Sequence, residues 1–176
     1  MKQSVEKCGE KIPLNYKRAE PPERPGFRNT PKGGKKMLSG EFKHNLDPKN
    51  RLFIPAKHRE ELGESFIVAK SIRENCLKVY SLEEWENYIA PIKQMARKDS
   101  ESILRALNRN ASQVTPDSQG RIILTPALIE YAGIQKGAVV VGCGNYAEIW
   151  AEEAYDVMIG EENLEAMKDL LESYGL

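Results

Sequence analysis

The stretch "LDPKNRLFIPA", residues 46–56, is nearly repeated by "TPDSQGRIILTPA", residues 115–127. Each is an Asp-x-x-(Asn/Gly)-Arg turn that feeds a short β-branched run and a proline. The composition follows from turn chemistry. An Asp side chain hydrogen-bonds the backbone two residues on, Asn or Gly accepts positive φ at the tight point, and Arg leaves the turn as a strand begins. Asp47, Asn50, Asp117 and Gly120 are therefore read as turn-forming residues.

Outward from the two turns, a shift of 70 positions takes Asp47 to Asp117, Arg51 to Arg121 and Gly63 to Gly133, and carries "VYSLEEW" at 79–85 onto "IWAEEAY" at 149–155. The chain is internally duplicated. Each half reads as turn, strand, proline-started helical turn, strands and helix: "RLFIP" and "RIILTP" lead into "AKHREELG" and "ALIEYAGI", followed by "SFIVAK" and "GAVVVGC". Leu82, Trp85, Ile89 and Ile92 mark a helix that Pro91 should kink or split, and "DSESILRALNR" should continue helical from Asp99 as N-cap. In the second half, Gly160 should separate a short helix near 152–158 from "EENLEAMKDLLESY", whose Leu164, Met167 and Leu171 form an apolar stripe suited to core or subunit contacts.

A half of roughly 70 residues with short strands buries little surface alone, so the two are expected to complete one barrel by intertwining their sheets. The expected fold class is mixed α/β (α+β), a pseudo-dimeric β-barrel of two duplicated halves with flanking helices. The two turns should lie near its twofold axis and present Arg51 and Arg121, helped by Lys49, as paired guanidiniums projecting into solvent. The expected organisation is residues 1–36 as an extension, 37–109 as the first half and 110–176 as the second.

Charge divides the chain differently. The 26 basic and 26 acidic residues balance overall, but residues 1–36 hold ten Lys/Arg against four Asp/Glu. That segment is rich in Pro, Gly and Lys and lacks a periodic apolar pattern, so it reads as a disordered or non-native tail. "KGGKKM", Lys32–Met37, is also what a ribosome-binding sequence ahead of a start codon would encode, which makes Met37 the expected start. No apolar run approaches the ~20 residues of a membrane span, and the reading is cytoplasmic. The scattered Cys8, Cys76 and Cys143 form no CxxC pair and read as reduced thiols packed as small hydrophobes. His44 and His58, without cysteines near them in sequence, give no metal site, and no acid–base pair, nucleophile triad or phosphate-cradling glycine loop marks an enzyme. No cofactor is expected.

"MLSGEFKHNLDPKNRLFIPAKHRE", from Met37, resembles the start of the MraZ family in Gly40, Leu46, Asp47, Lys49, Arg51, Pro55 and Arg59, and Asp117, Gly120 and Arg121 resemble its second motif. Asn50 stands where the family usually has Gly, a position Asn fills best among the other residues. The resemblance implies a swapped-hairpin, double-split β-barrel related to the AbrB and MazE folds, assembled into ring-like homo-oligomers. It further implies a nucleoid-associated regulator that binds short repeats in double-stranded promoter DNA, upstream of its own cell-division and cell-wall operon. Lys49, Arg51, Gln119 and Arg121 are then the candidate DNA-binding residues. Two other readings stand beside this one. Asp47 with Arg51 and Asp117 with Arg121 also suit turn-stabilising ion pairs, and the oligomer also suits a protein-interaction scaffold without DNA binding.

Overall fold

The computed structural model describes residues 37–161 and 164–175; the expectations for residues 1–36, including Cys8, lie outside them. The first half runs β1 (Leu38–Asn45), β2 (Arg51–Phe53), α1 (Ala56–Leu62), β3 (Phe66–Lys70), β4 (Leu77–Ser81), α2 (Leu82–Lys93) and α3 (Arg97–Arg109). The second repeats it as β5 (Ala111–Val114), β6 (Arg121–Ile123), α4 (Pro126–Ala132), β7 (Gly137–Gly144), β8 (Ala147–Ala151), α5 (Glu152–Glu161) and α6 (Leu164–Ser173). The result is a mixed α/β fold.

The two halves are intertwined strand by strand. A six-stranded sheet has the order β1-β7-β8-β4-β3-β5, and a second sheet is the pair β2-β6. The first strand of each half thus pairs with the third strand of the other. Register reveals an internal twofold: Leu52 lies opposite Ile122 in β2·β6, and Lys78 opposite Glu148 in β4·β8. Both pairs join residues 70 positions apart, which antiparallel strands achieve only where the symmetry axis passes between them. The backbone bonds from Ile54 N–H to the Gly120 carbonyl and from Leu124 N–H to the Asn50 carbonyl, both 2.9 Å, repeat the symmetry at the ribbon's ends.

Strand alternation sorts side chains into layers. Phe66, Val68, Leu77, Val79, Val140 and Ile149 point from the large sheet toward Leu52, Ile54, Ile122 and Leu124 of the ribbon segments, forming the main core. On the sheet's opposite face, Ile67, Ala69 and Tyr80 meet Trp85, Ile89 and Leu107 of α2 and α3, while Val139 and Trp150 meet Tyr155 of α5. Because α2 and α5 cover this face, β3 and β7 read as continuous apolar runs. Their caps are local. Ser81 accepts Glu84 N–H at 3.1 Å to start α2, and α4 starts with Pro126 and ends at Gly133 in the left-handed region.

Several sequence expectations shift. The cap of α3 is Ala96, whose carbonyl takes the N–H groups of Asp99 and Ser100, so the helix begins at Arg97 and Asp99 lies in its first turn. A carboxylate there still favours the helix through the macrodipole. Pro91 lies inside α2, which continues to Lys93 before the helix ends in a turn at Gln94. Gly160 lies within α5, which runs one residue further to Glu161, and α6 follows as a separate helix from Leu164. Leu164, Met167 and Leu171 of α6 are exposed and belong to no core cluster among the described residues, so of the two contacts expected of them only subunit contact stays open. Cys76 is buried as expected, but Cys143 is exposed near the end of β7, opposite Ser39 of β1. No described helix is long and apolar enough to cross a membrane.

β1 and β7 come together at Gly40 and Gly142, which are register partners. A Cβ on Gly142 would meet Ser39 N at 2.2 Å, and that backbone atom cannot rotate away. Gly142→Ala is expected to destabilise the protein by about 1–3 kcal/mol, lowering the melting temperature by several degrees. Gly160→Ala, with open space around it, should stabilise by roughly 0.5–1 kcal/mol. Thermal melts of the two variants check both signs.

Candidate nucleic-acid interface

Each repeated turn is built on one carboxylate. Asp47 Oδ1 accepts the backbone N–H groups of Lys49 and Arg51 at 2.8 and 2.9 Å, and Oδ2 accepts Arg51 Nε at 2.6 Å. Asn50 N–H donates to the Asp47 carbonyl at 2.9 Å, and Asp47 N–H donates to the Arg51 carbonyl at 3.0 Å. Asp117 repeats the pattern, accepting Gln119 N–H and Arg121 N–H on Oδ1, both at 2.9 Å, and Arg121 Nε and Nη2 on Oδ2 at 2.9 and 2.7 Å. The tight positions have positive φ, 59° at Asn50 and 78° at Gly120. Asn tolerates this conformation better than other side chains because its short amide bonds locally.

The hydrogen bonds set the titration. Bonds from the Arg121 side chain and backbone hold the Asp117 carboxyl down at about 2. At Asp47, burial pushes the carboxyl up, but bonds from Arg51 and Lys49 outweigh it and leave it below the ordinary value.

The ribbon brings the two turns together. With Leu52 and Ile122 pointing into the core, period-two alternation puts Arg51, Phe53, Arg121 and Ile123 on the outward face. Arg51 lies across from Ile123 and Phe53 across from Arg121, so the guanidiniums occupy diagonal corners. They do not project freely: both side chains are 27% exposed because they fold back on their aspartates. Lys49 and Gln119 are exposed on the turn tips. Phe53, half-buried, receives the edge of His44 at 5.0 Å and has the Arg59 guanidinium 5.9 Å from its ring centre. Ile123 is 64% exposed, unusual for a strand residue beside a core.

Sequence reasoning did not single out Phe53, Ile123 or Arg59 as parts of this face. Strand period gave access to the first two, since they stand two residues beyond each Arg. Arg59 enters the sequence reading only as a residue of the family resemblance and reaches the face through tertiary packing.

Each Asp–Arg pair is locally neutral. Among the described residues, Lys49 and Arg59 have no carboxylate partner. The cations of the face that stand outside an ion pair are therefore these two, while the paired arginines offer fixed donors.

A second polar group lies away from the ribbon. Ligand atoms of Glu74, Cys76 and Glu148 approach within 4.8 Å of one another. Glu148 is already engaged by Lys78 at 3.4 Å and Trp150 Nε1 at 2.9 Å, and burial pushes the Cys76 thiol up to about 12. These are the features of a packed polar patch holding a neutral thiol.

Fold and face together define a duplicated-hairpin protein, in which one chain supplies both halves of a twofold ribbon. A family model described as "MraZ protein, putative antitoxin-like" matches it twice, over residues 37–106 and 107–170. The chain is 39% identical over 132 residues to Transcriptional regulator MraZ of Acetivibrio thermocellus, covering 74% of this chain and 92% of that protein. It is 42% identical over 122 residues to the protein of that name from Thermoanaerobacter sp., and 43% identical over 122 residues to that from Desulforamulus reducens, covering in each case 68% of this chain and 85% of the relative. The chain belongs to the MraZ family. It is a regulator of the MraZ type and not an enzyme.

The carboxylate geometry predicts an acid limit for the second turn. Asp117 lies below its ordinary value of 3.8, so its contribution to stability is complete above about pH 4 and is lost as pH falls toward about 2. Carbon-detected NMR titration should place its carboxyl midpoint near 2. A midpoint at the ordinary value would show that the Arg121 bonds do not hold in solution.

Proposed function

We propose that this protein is a sequence-specific DNA-binding transcriptional regulator that inserts the β2·β6 ribbon into the major groove. The observation that carries the reading is the juxtaposition of two Asp–Arg turns of the same design across an internal twofold on a two-stranded element. A β-ribbon fits the major groove, where Arg donates in bidentate fashion to guanine O6 and N7. Arg51 bonds its aspartate through Nε, which leaves its two terminal nitrogens for a base edge. Arg121 uses Nε and Nη2 on Asp117, leaving Nη1 and the second proton of Nη2. The aspartates hold both side chains in place before binding and reduce the ordering cost. Lys49 and Gln119 flank them at the turn tips, and exposed Ile123 suits contact with a thymine methyl.

The finer picture follows the family. Paired sheets form a double-split, swapped-hairpin barrel of an AbrB-like kind, with residues 37–109 and 110–176 as its halves. Copies assemble into a ring-like homo-oligomer in the cytoplasm, associated with the nucleoid, and bind short promoter repeats upstream of the protein's own cell-division and cell-wall operon. Oligomerisation has a physical motive in the exposed Val157 and Ile159 of α5 and Leu164, Met167, Leu170 and Leu171 of α6. A ring multiplies modest single contacts through effective concentration.

Light scattering at micromolar concentration should give a mass several times that of one chain, and a strict monomer would remove the basis for multivalent binding. In gel shifts, duplex from the gene's upstream region should bind in preference to scrambled duplex. Arg51→Ala and Arg121→Ala should each weaken that binding by ~1–3 kcal/mol per lost bidentate contact, amplified in an oligomer. Melting curves run alongside separate lost contacts from lost fold. Full-affinity binding by the folded double variant would exclude the ribbon as the reading element, and an absence of sequence preference in the unaltered protein would favour an interaction scaffold.

A further inference from the structure

The two turns are alike in their carboxylates but unlike in their cations. Lys49 stands at the tip of the first, and its counterpart in the second is neutral Gln119. The second turn acquires a cation from elsewhere. Arg59 leaves α1 of the first half, donates through Nε to the Ile54 carbonyl at 3.0 Å, and lies with its guanidinium 5.9 Å from the centre of the Phe53 ring. Ile54 N–H is itself bonded to the Gly120 carbonyl at 2.9 Å, so Arg59 rests against the backbone of the opposite half's turn. The approach is close enough that a Cβ on Gly120 would stand 2.7 Å from Arg59 Cζ.

The symmetry-related corner is built differently. Seventy positions on, Arg59 becomes Ile129, which packs against the main core, and Gly120 corresponds to Asn50, which carries a side chain. Gly120 thus meets two demands, positive φ and room for a guanidinium from the other half. Asn50 meets only the first.

We infer that Arg59 is a DNA-contacting residue of the second turn, serving as its phosphate-binding cation as Lys49 serves the first. The inference rests on the DNA-binding reading above and adds a residue to it. Arg51 and Arg121 carry their own counter-charges, so they release little of the counterion atmosphere when they reach a base. Lys49 and Arg59 have no carboxylate partner among the described residues, and each can neutralise a phosphate oxygen. Phosphate contact positions the ribbon without reading sequence. The face therefore divides its labour: paired arginines specify bases and unpaired cations grip the backbone, one beside each turn.

The test is the salt dependence of binding, measured for unaltered protein, R59Q, R59M and R59K on both upstream and scrambled duplex, with a melting curve for each variant. R59Q and R59M should bind both duplexes several-fold more weakly, with a slope of log K against log salt shallower by about 0.9 for each protomer engaged. Preference for the upstream sequence should survive, and R59K should keep most of the slope. R59M retains the apolar stem and so guards against a packing defect in R59Q. An unchanged slope in the neutral variants, with or without a lower melting temperature, would assign Arg59 a structural role only and overturn the inference. Because the slope is read on scrambled duplex too, a protein that binds DNA without sequence preference still tests Arg59, while a failed preference counts only against the sequence-specific reading. If the unaltered protein binds neither duplex, both fall.

Discussion

The antiparallel pairing of β2 with β6 is the constraint on which the rest depends. Each strand has only three residues, too few to persist alone, yet Leu52 and Ile122 at its centre are completely buried. Fully burying such side chains is worth roughly 1.5–3 kcal/mol each, and that burial exists only when both halves are present. The ribbon also fixes the distance between the two turns, because each turn feeds directly into one of its strands. Separating the halves would remove the core layer and the paired arginines together.

The Asp–Arg turns then solve a problem that a bare guanidinium does not. A long, flexible cation loses rotamer entropy when it contacts a ligand. Here the carboxylate fixes the side chain beforehand, at the cost of part of its hydrogen-bonding capacity and its net charge. The charge is restored by Lys49 and Arg59, which stand outside the ion pairs. A face arranged this way can separate where it binds from how strongly it binds.

Much of this was legible in the sequence, for reasons visible in particular residues. The shift of 70 positions that aligns Asp47 with Asp117 also predicts which residues meet on the axis, and Leu52–Ile122 and Lys78–Glu148 are such pairs. The turn chemistry is local, so Asp, Asn50, Gly120 and Arg announce it directly. The start of α3 was less legible: backbone geometry at Ala96 set it, whereas the sequence pointed to the side chain of Asp99, three residues on. Gly160 reads as a breaker by propensity, yet a helix tolerates one glycine at modest cost. Arg59 was the least legible. Its partners Ile54 and Phe53 are near in sequence, but its contact with Gly120 crosses between halves, and a lone Arg after a proline carries no sign of that.

The central claim is that the two turns act on DNA as one surface, and the most direct measurement is amide hydrogen exchange of the intact protein with and without upstream duplex. The account predicts that peptides spanning 46–53 and 116–123 gain protection together, over the same range of DNA concentration. Protection confined to one turn, or appearing instead on α2, α3 or α6 with both turns unchanged, would contradict it.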